Sequence, residues 1–243
     1  MSPAFVAGAQ NAMAGGGSFV TLPALLLAGL PSVTANASST VALFPASLAS
    51  TWAYRADLQP LAGIPAPLLL VISLAGGLAG AVLLLTTPNA AFDKVLPFLL
   101  LLATIAFAFG GRISAWLQRR TWIGRGTLVA SQTVLSVYGG YFGGAVGIMM
   151  MAVWSLLGRG DLKAMNPVKT LLVAATNAVA VLCFIAAGAV RWPQTLAMLG
   201  GAVAGGYGGA LLGRRLSSAA IRAGVICLTV VMTAAFFVRA FAW

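Results

Sequence analysis

Two uncharged, mostly apolar runs, Met1–Tyr54 and Gly126–Gly158, are each interrupted by a glycine-rich break. The first break is Ala14-Gly15-Gly16-Gly17-Ser18. The second is Gly139-Gly140-Tyr141-Phe142-Gly143-Gly144-Ala145-Val146-Gly147. Backbone that leaves a helix at membrane depth must be buried in protein or line a wet cavity, because lipid offers its N–H and C=O groups no partner. The two copies are in register. Gly17 and Gly147, Asn36 and Asn166, and Thr40 and Thr170 are each 130 residues apart. A chain that repeats itself and breaks its membrane segments at matching places commonly builds a binding site there.

The membrane assignment rests on charge and run length. Of 243 residues, 60% are hydrophobic and 7% are charged, against about 25% charged in soluble domains. Further uncharged runs cover Leu58–Phe92, Val95–Gly111, Thr170–Val190, Trp192–Gly213 and Ala223–Val238. Apolar runs of about 17–25 residues read as transmembrane helices. The net charge of +11 does not form a basic stripe with interleaved aromatics, which argues against nucleic-acid binding. The cations sit at the ends of apolar runs, where they orient helices in a bilayer. No basic residue precedes the first apolar run, which argues against a secretory signal peptide. Cys183 and Cys227 fall inside apolar runs and read as small buried or lipid-facing residues rather than a disulfide or metal site. With no His and no Glu, a His-based or di-carboxylate catalytic site cannot be assembled and a zinc site lacks ligands. The expectation is a non-enzyme without cofactor or metal.

The expected fold is an all-α integral membrane protein of two inverted repeats. Each repeat is one glycine-broken, re-entrant segment plus three transmembrane helices. Helices are expected at about 31–54, 62–86, 92–111, 164–188, 193–213 and 219–241, with broken segments at about 3–29 and 127–157. Residues 1–111 form the first repeat, 112–126 a basic cytoplasmic link, and 127–243 the second repeat. Glycine pairs at Gly76-Gly77 with Gly80, and at Gly205-Gly206 with Gly208-Gly209, read as close helix packing.

Cation counting selects this topology. If every segment crossed, with the link inside, the cations would divide seven against seven. If both broken segments return to their starting face, only Lys94, Arg191 and Arg239 lie outside and the other eleven lie inside, as the positive-inside rule favours. Length agrees. Thr127–Leu157 as one helix would measure about 46 Å, longer than the roughly 30 Å hydrocarbon core.

The breaks supply candidate donors. Gly15, Gly16, Gly17 and Ser18, and Gly143, Gly144 and Gly147, would present backbone N–H groups at the start of a half-helix, where an anion is favoured. The helix after each break begins polar: Asn36, Ser39 and Thr40 in the first copy, Asn166, Lys169, Thr170 and Asn177 in the second. Asn36 and Thr40 share a helix face, as do the residues of the second set. For each hydroxyl, a bond to its own helix carbonyl is the competing role. Lys169 is the sharpest candidate, an ionisable residue inside a membrane segment. Snorkelling to the interface is its alternative. Its first-half equivalent is Ser39, so its charge is not part of a symmetric structural role. The carboxylates Asp57, Asp93 and Asp161 lie near segment ends, as interfacial ion pairs such as Asp93 with Lys94 would require. The site therefore favours negative charge over cations, which would want buried carboxylates.

These residues resemble a known family. Gly15-Gly16-Gly17-Ser18-Phe19-Val20-Thr21-Leu22-Pro23-Ala24-Leu25 is similar to the glycine-triplet and proline signature of the sulfite exporter TauE/SafE family. Tyr138–Ile148 resembles its second motif. Ala164–Lys169 and Phe184–Trp192 also resemble its pattern, so that nearly the whole chain is covered. The resemblance implies a multi-pass permease of the bacterial inner membrane for sulfite, sulfoacetate or related organosulfonates. Two positions depart from the pattern: the segment before Gly15 is short, and Gly143-Gly144-Ala145-Val146-Gly147 is bulkier than a glycine triplet. The expected partners are a small anionic substrate and the lipid bilayer, with no nucleic acid; a homodimer is left open. An anion channel and a membrane structural or assembly protein stand as alternatives to a secondary transporter working by alternating access.

Overall fold

The computed structural model describes residues 17–58, 64–118, 124–154, 162–201 and 218–241. Helices account for nearly all of them. α1 is Ser18–Leu27, α2 Ser32–Ala53, α3 Ala66–Thr86, α4 Asn89–Gln118, α5 Arg125–Tyr141, α6 Val146–Trp154 and α7 Leu162–Ala186. α8 denotes the helical residues 192–201, and α9 is Ser218–Phe241. A short 3-10 turn, Arg55–Asp57, follows α2. Gly15, Gly16, Asp161, Gly205, Gly206, Gly208 and Gly209 lie outside the described residues.

Three described helices are long and apolar enough to cross a membrane: Ala66–Thr86, Asn89–Gly110 and Met165–Ala186. The protein is thus a helical membrane protein. α2 has 22 residues, enough to span, but its Thr34-Ala-Asn36-Ala-Ser38-Ser39-Thr40 stretch makes it too polar to qualify on composition. α4 runs seven residues past its expected end at Gly111. Arg112–Gln118 contains no Gly or Pro, so nothing local stops the helix.

The chain divides into two compact units. One is Met1–Leu43, Leu85–Thr104 and Phe184–Trp243; the other is Phe44–Leu84 and Ile105–Cys183.

In the first unit, α1 ends in a left-handed glycine cap. Gly29 has φ +83°, its N–H bonds to the Leu26 carbonyl, and the Leu30 N–H reaches back to the Leu25 carbonyl. That pair of bonds satisfies carbonyls left over at a helix end. The start of α2 is capped from another element. Asn89 Oδ1 accepts from the Val33 N–H at 3.0 Å and from the Ser32 hydroxyl at 3.3 Å. α4 and α9 are joined at a buried hydroxyl pair, Thr104 and Thr233, at 3.0 Å.

In the second unit, Ile64, Leu69, Leu128, Val146, Met150, Trp154, Met165, Val168 and Leu172 form one buried cluster. α3 and α5 cross at backbone contact. A Cβ on Gly80 would lie 2.1 Å from the Val137 carbonyl oxygen, and one on Gly140 would lie 2.2 Å from that of Gly77. The packing role expected for Gly76, Gly77 and Gly80 is the observed one. Gly140 shares it, although the sequence placed Gly140 in the break.

Candidate functional site

The second break is narrower than Gly139–Gly147. α5 continues through Gly139 and Gly140 to Tyr141, and the chain turns only at Phe142–Ala145 before α6 starts at Val146. Two residues turn it: Gly143 at φ +78° and Ala145 at φ +57°. A non-glycine residue in the left-handed region costs roughly 1–2 kcal/mol, and such outliers concentrate at functional sites. The turn is pinned by Tyr138, whose hydroxyl donates to the Gly144 carbonyl at 2.9 Å. The Phe142 ring stands edge-on to the Tyr138 ring at 5.9 Å.

α6 then opens with uncommitted donors. The N–H groups of Gly144, Ala145, Val146 and Gly147 meet no acceptor among the described residues. These are the donors a helix start leaves over, and they carry the positive end of the helix dipole. α7 packs beside them. A Cβ at Gly147 would sit 3.4 Å from Lys169 Cδ and 3.5 Å from Val173 Cγ2. The structure thus brings Lys169 to Gly147, at the end of the turn that holds Gly143 and Gly144. Lys169 is partly buried and pairs with no acid among the described residues.

The other residues of the second copy behave differently. Thr170 donates to its own helix, to the Pro167 carbonyl at 2.8 Å, and its own carbonyl accepts from Thr51 at 3.1 Å. Asn166 is partly buried. Asn177 lies two turns beyond Lys169, and its Oδ1 is buried without a described partner.

The first copy is polar and tightly bonded. Of its break, Gly17 and Ser18 are described. The Gly17 carbonyl accepts from the Val20 and Thr21 N–H groups at 3.0 Å and from the Thr21 hydroxyl at 3.1 Å. Thr21 Oγ1 in turn pairs with Ser39 Oγ. Asn36, Ser38 and Ser39 are all buried. Ser38 Oγ accepts from the Arg191 N–H at 3.0 Å. Thr40 bonds back to the Asn36 carbonyl at 2.9 Å, the ordinary helix role for a hydroxyl.

Sequence reading passed over one cluster altogether. Gln132, fully buried on α5, donates to Ser73 Oγ at 3.0 Å and to Ser136 Oγ at 3.3 Å. Thr176 reaches the Ser73 carbonyl at 3.4 Å, and Gln132 Oε1 has no described partner. The signal was Gln132 itself, since an amide inside an uncharged run is costly to bury unless it is bonded. The expected Asp93–Lys94 ion pair does not form; successive helix residues do not face each other. Among the described residues no cluster of metal-ligating side chains exists.

Helices long and apolar enough to cross a membrane, beside a turn between α5 and α6 whose N–H donors meet no acceptor among the described residues, define a helical membrane protein. Residues 3–236 match the model of the sulfite exporter TauE/SafE family, and the chain belongs to this family of membrane transporters. It is 30% identical over 234 residues to a probable membrane transporter protein of Haemophilus influenzae, covering 95% of this chain and 90% of that one. It is 32% identical over 203 residues to a probable membrane transporter protein, ORF9, of a Sinorhizobium species, covering 80% and 74%. A probable membrane transporter protein of Escherichia coli K12, YfcA, is 27% identical over 232 residues, covering 95% and 86%. No solved structure matches the chain.

Proposed function

We propose that the protein is a secondary transporter of a small anion, sulfite or an organosulfonate such as sulfoacetate, in the bacterial inner membrane. One observation carries the reading. The turn at Phe142–Ala145 delivers to the start of α6 four N–H groups that meet no acceptor among the described residues, and Lys169 packs against that same helix start at Gly147. Oriented amides and a cation together form an anion site. Gly17, Ser18, Asn36, Ser39 and Thr40, with Gly15 and Gly16 before them, are the first repeat's counterpart. Asn166, Thr170 and Asn177 complete the second repeat's set. Residues 1–111 and 127–243 are read as inverted repeats that work by alternating access, joined by a cytoplasmic link at 112–126. The choice of sulfur oxyanions follows the family name.

The test is flux into proteoliposomes. Sulfite, sulfate, thiosulfate, sulfoacetate and a simple carboxylate are compared with and without a pH gradient. Saturable uptake of sulfite or sulfoacetate, with exchange across the membrane, supports the proposal. Flux without saturation or exchange would point to a channel, and no anion flux would sink the reading.

A further inference from the structure

A second charged feature lies away from the breaks. The first two turns of α4 and the last two turns of α9 border an open cavity of about 180 Å³ lined by Ala90, Asp93, Lys94, Phe236, Arg239 and Ala240. It contains two cations and one carboxylate, all exposed. None of the three is ion-paired with a described residue. Charges of both signs that share a cavity without pairing suit a ligand that is itself zwitterionic.

The surroundings say what else that ligand carries. Phe98, one turn after Lys94, stands edge-on to Phe237 at 5.2 Å and to Phe241 at 6.0 Å. Phe98 and Phe241 are 53% and 59% exposed. An exposed aromatic ledge beside a charged cavity, at the ends of apolar helices, fits an amphipathic molecule at the membrane interface.

We infer that this cavity binds the headgroup of a phospholipid with a primary ammonium, phosphatidylethanolamine. Lys94 and Arg239 would hold the phosphate, Asp93 the ammonium, and the Phe98–Phe237–Phe241 ledge the start of the acyl chains. Charge-assisted bonds of this kind are the strong ones. Asp93 is what would separate this headgroup from an anionic glycerol headgroup, which offers it no cation.

Native mass spectrometry of the detergent-purified full chain tests this, with phosphatidylethanolamine, phosphatidylglycerol, phosphatidylcholine and soluble glycerophosphoethanolamine as probes. Phosphatidylethanolamine should be retained over the other lipids and over the soluble headgroup. The double variant Lys94→Ala/Arg239→Ala should weaken its retention by about tenfold or more, as loss of a charged hydrogen bond implies. Asp93→Asn should keep lipid binding but erase the preference over phosphatidylglycerol. Because all three side chains are exposed, thermal unfolding should be unchanged in both variants; a conservative Arg239→Lys that restores retention guards against a folding artefact. Retention of phosphatidylethanolamine that is unchanged in the double variant, or equal retention of all the lipids by the unaltered chain, would overturn the inference. So would competition by glycerophosphoethanolamine as strong as that of the lipid.

Discussion

Lys169 lies across Gly147: its Cδ would be 3.4 Å from a Cβ placed on that glycine. The position 130 residues earlier makes the matching approach. Ser39 reaches Thr21 on α1, and Thr21 closes on Gly17, which lies 130 residues before Gly147. In both copies the helix after a break turns the same position back onto its own broken segment. One copy closes that contact with a neutral hydroxyl pair. The other brings a cation to a helix start whose amides meet no acceptor among the described residues.

Removing the charge while keeping the stem separates binding from packing. Lys169→Met retains an unbranched apolar side chain over Gly147 and should fold as the unaltered protein does. Both Lys169→Met and Lys169→Ala should lower anion transport by about tenfold or more, the scale of one charged hydrogen bond. Proteoliposome uptake together with thermal unfolding in detergent would show it. Undiminished transport in Lys169→Met would take the lysine out of the site.

Two glycines of the second motif should respond in opposite ways to alanine. At Gly147 the nearest atoms to an added Cβ are 3.4 Å away or more and belong to side chains, so Gly147→Ala should fold. At Gly140 a Cβ would meet the Gly77 carbonyl at 2.2 Å. Gly140→Ala must push α3 and α5 apart, at a cost of about 1–3 kcal/mol for overpacking. Melting temperature in detergent distinguishes them, and equal losses would contradict the described crossing.

The Thr21–Ser39 pair should be energetically coupled. Thr21→Val takes the partner from the buried Ser39 hydroxyl, Ser39→Ala leaves Thr21 bonded to the Gly17 carbonyl, and the double variant removes both hydroxyls. A double-mutant cycle on detergent unfolding should return a coupling of about 0.5–1.5 kcal/mol. Strict additivity would mean that the contact contributes nothing to stability.

Asn89 should be needed for the start of α2. Asn89→Ala removes the acceptor of the Val33 N–H and the Ser32 hydroxyl, and loss of a cap costs about 1 kcal/mol. Hydrogen exchange should rise at Val33 and its neighbours while α5 and α6 are unaffected.

Topology can be read by cysteine accessibility after Cys183 and Cys227 are replaced. Single cysteines at Arg125 and Arg191 should label from opposite faces of the membrane. Labelling from the same face would refute the arrangement drawn from the positive-inside rule.

Much of this was legible in the residues. The helix at 66–86, expected from 62, follows from an unbroken apolar run after Pro65. The break within 127–157 follows from its excess length and its glycines. Gly76, Gly77 and Gly80 declared close packing by their spacing. The sequence was less informative where one residue type serves two ends. Gly139 and Gly140 look the same in sequence as Gly143, yet they are helical and only Gly143 turns. Gln132, Ser73 and Ser136 sit 59 and 63 residues apart, and no local pattern announces that they meet.

By itself, the sequence determined that this chain lives in a membrane and that it breaks a helix near Gly143. Composition, run length and spacing are local properties, and the low solvating power of lipid turns them into firm constraints. Tertiary structure alone decided which partner each donor meets. Whether a hydroxyl bonds its own helix, as Thr40 and Thr170 do, or a neighbouring segment, as Ser39 does, depends on what packs within about 3 Å. That distance is set by how helices pack, whether next to each other in the chain as for Ser39 and Thr21 or far apart as for Gln132 and Ser73.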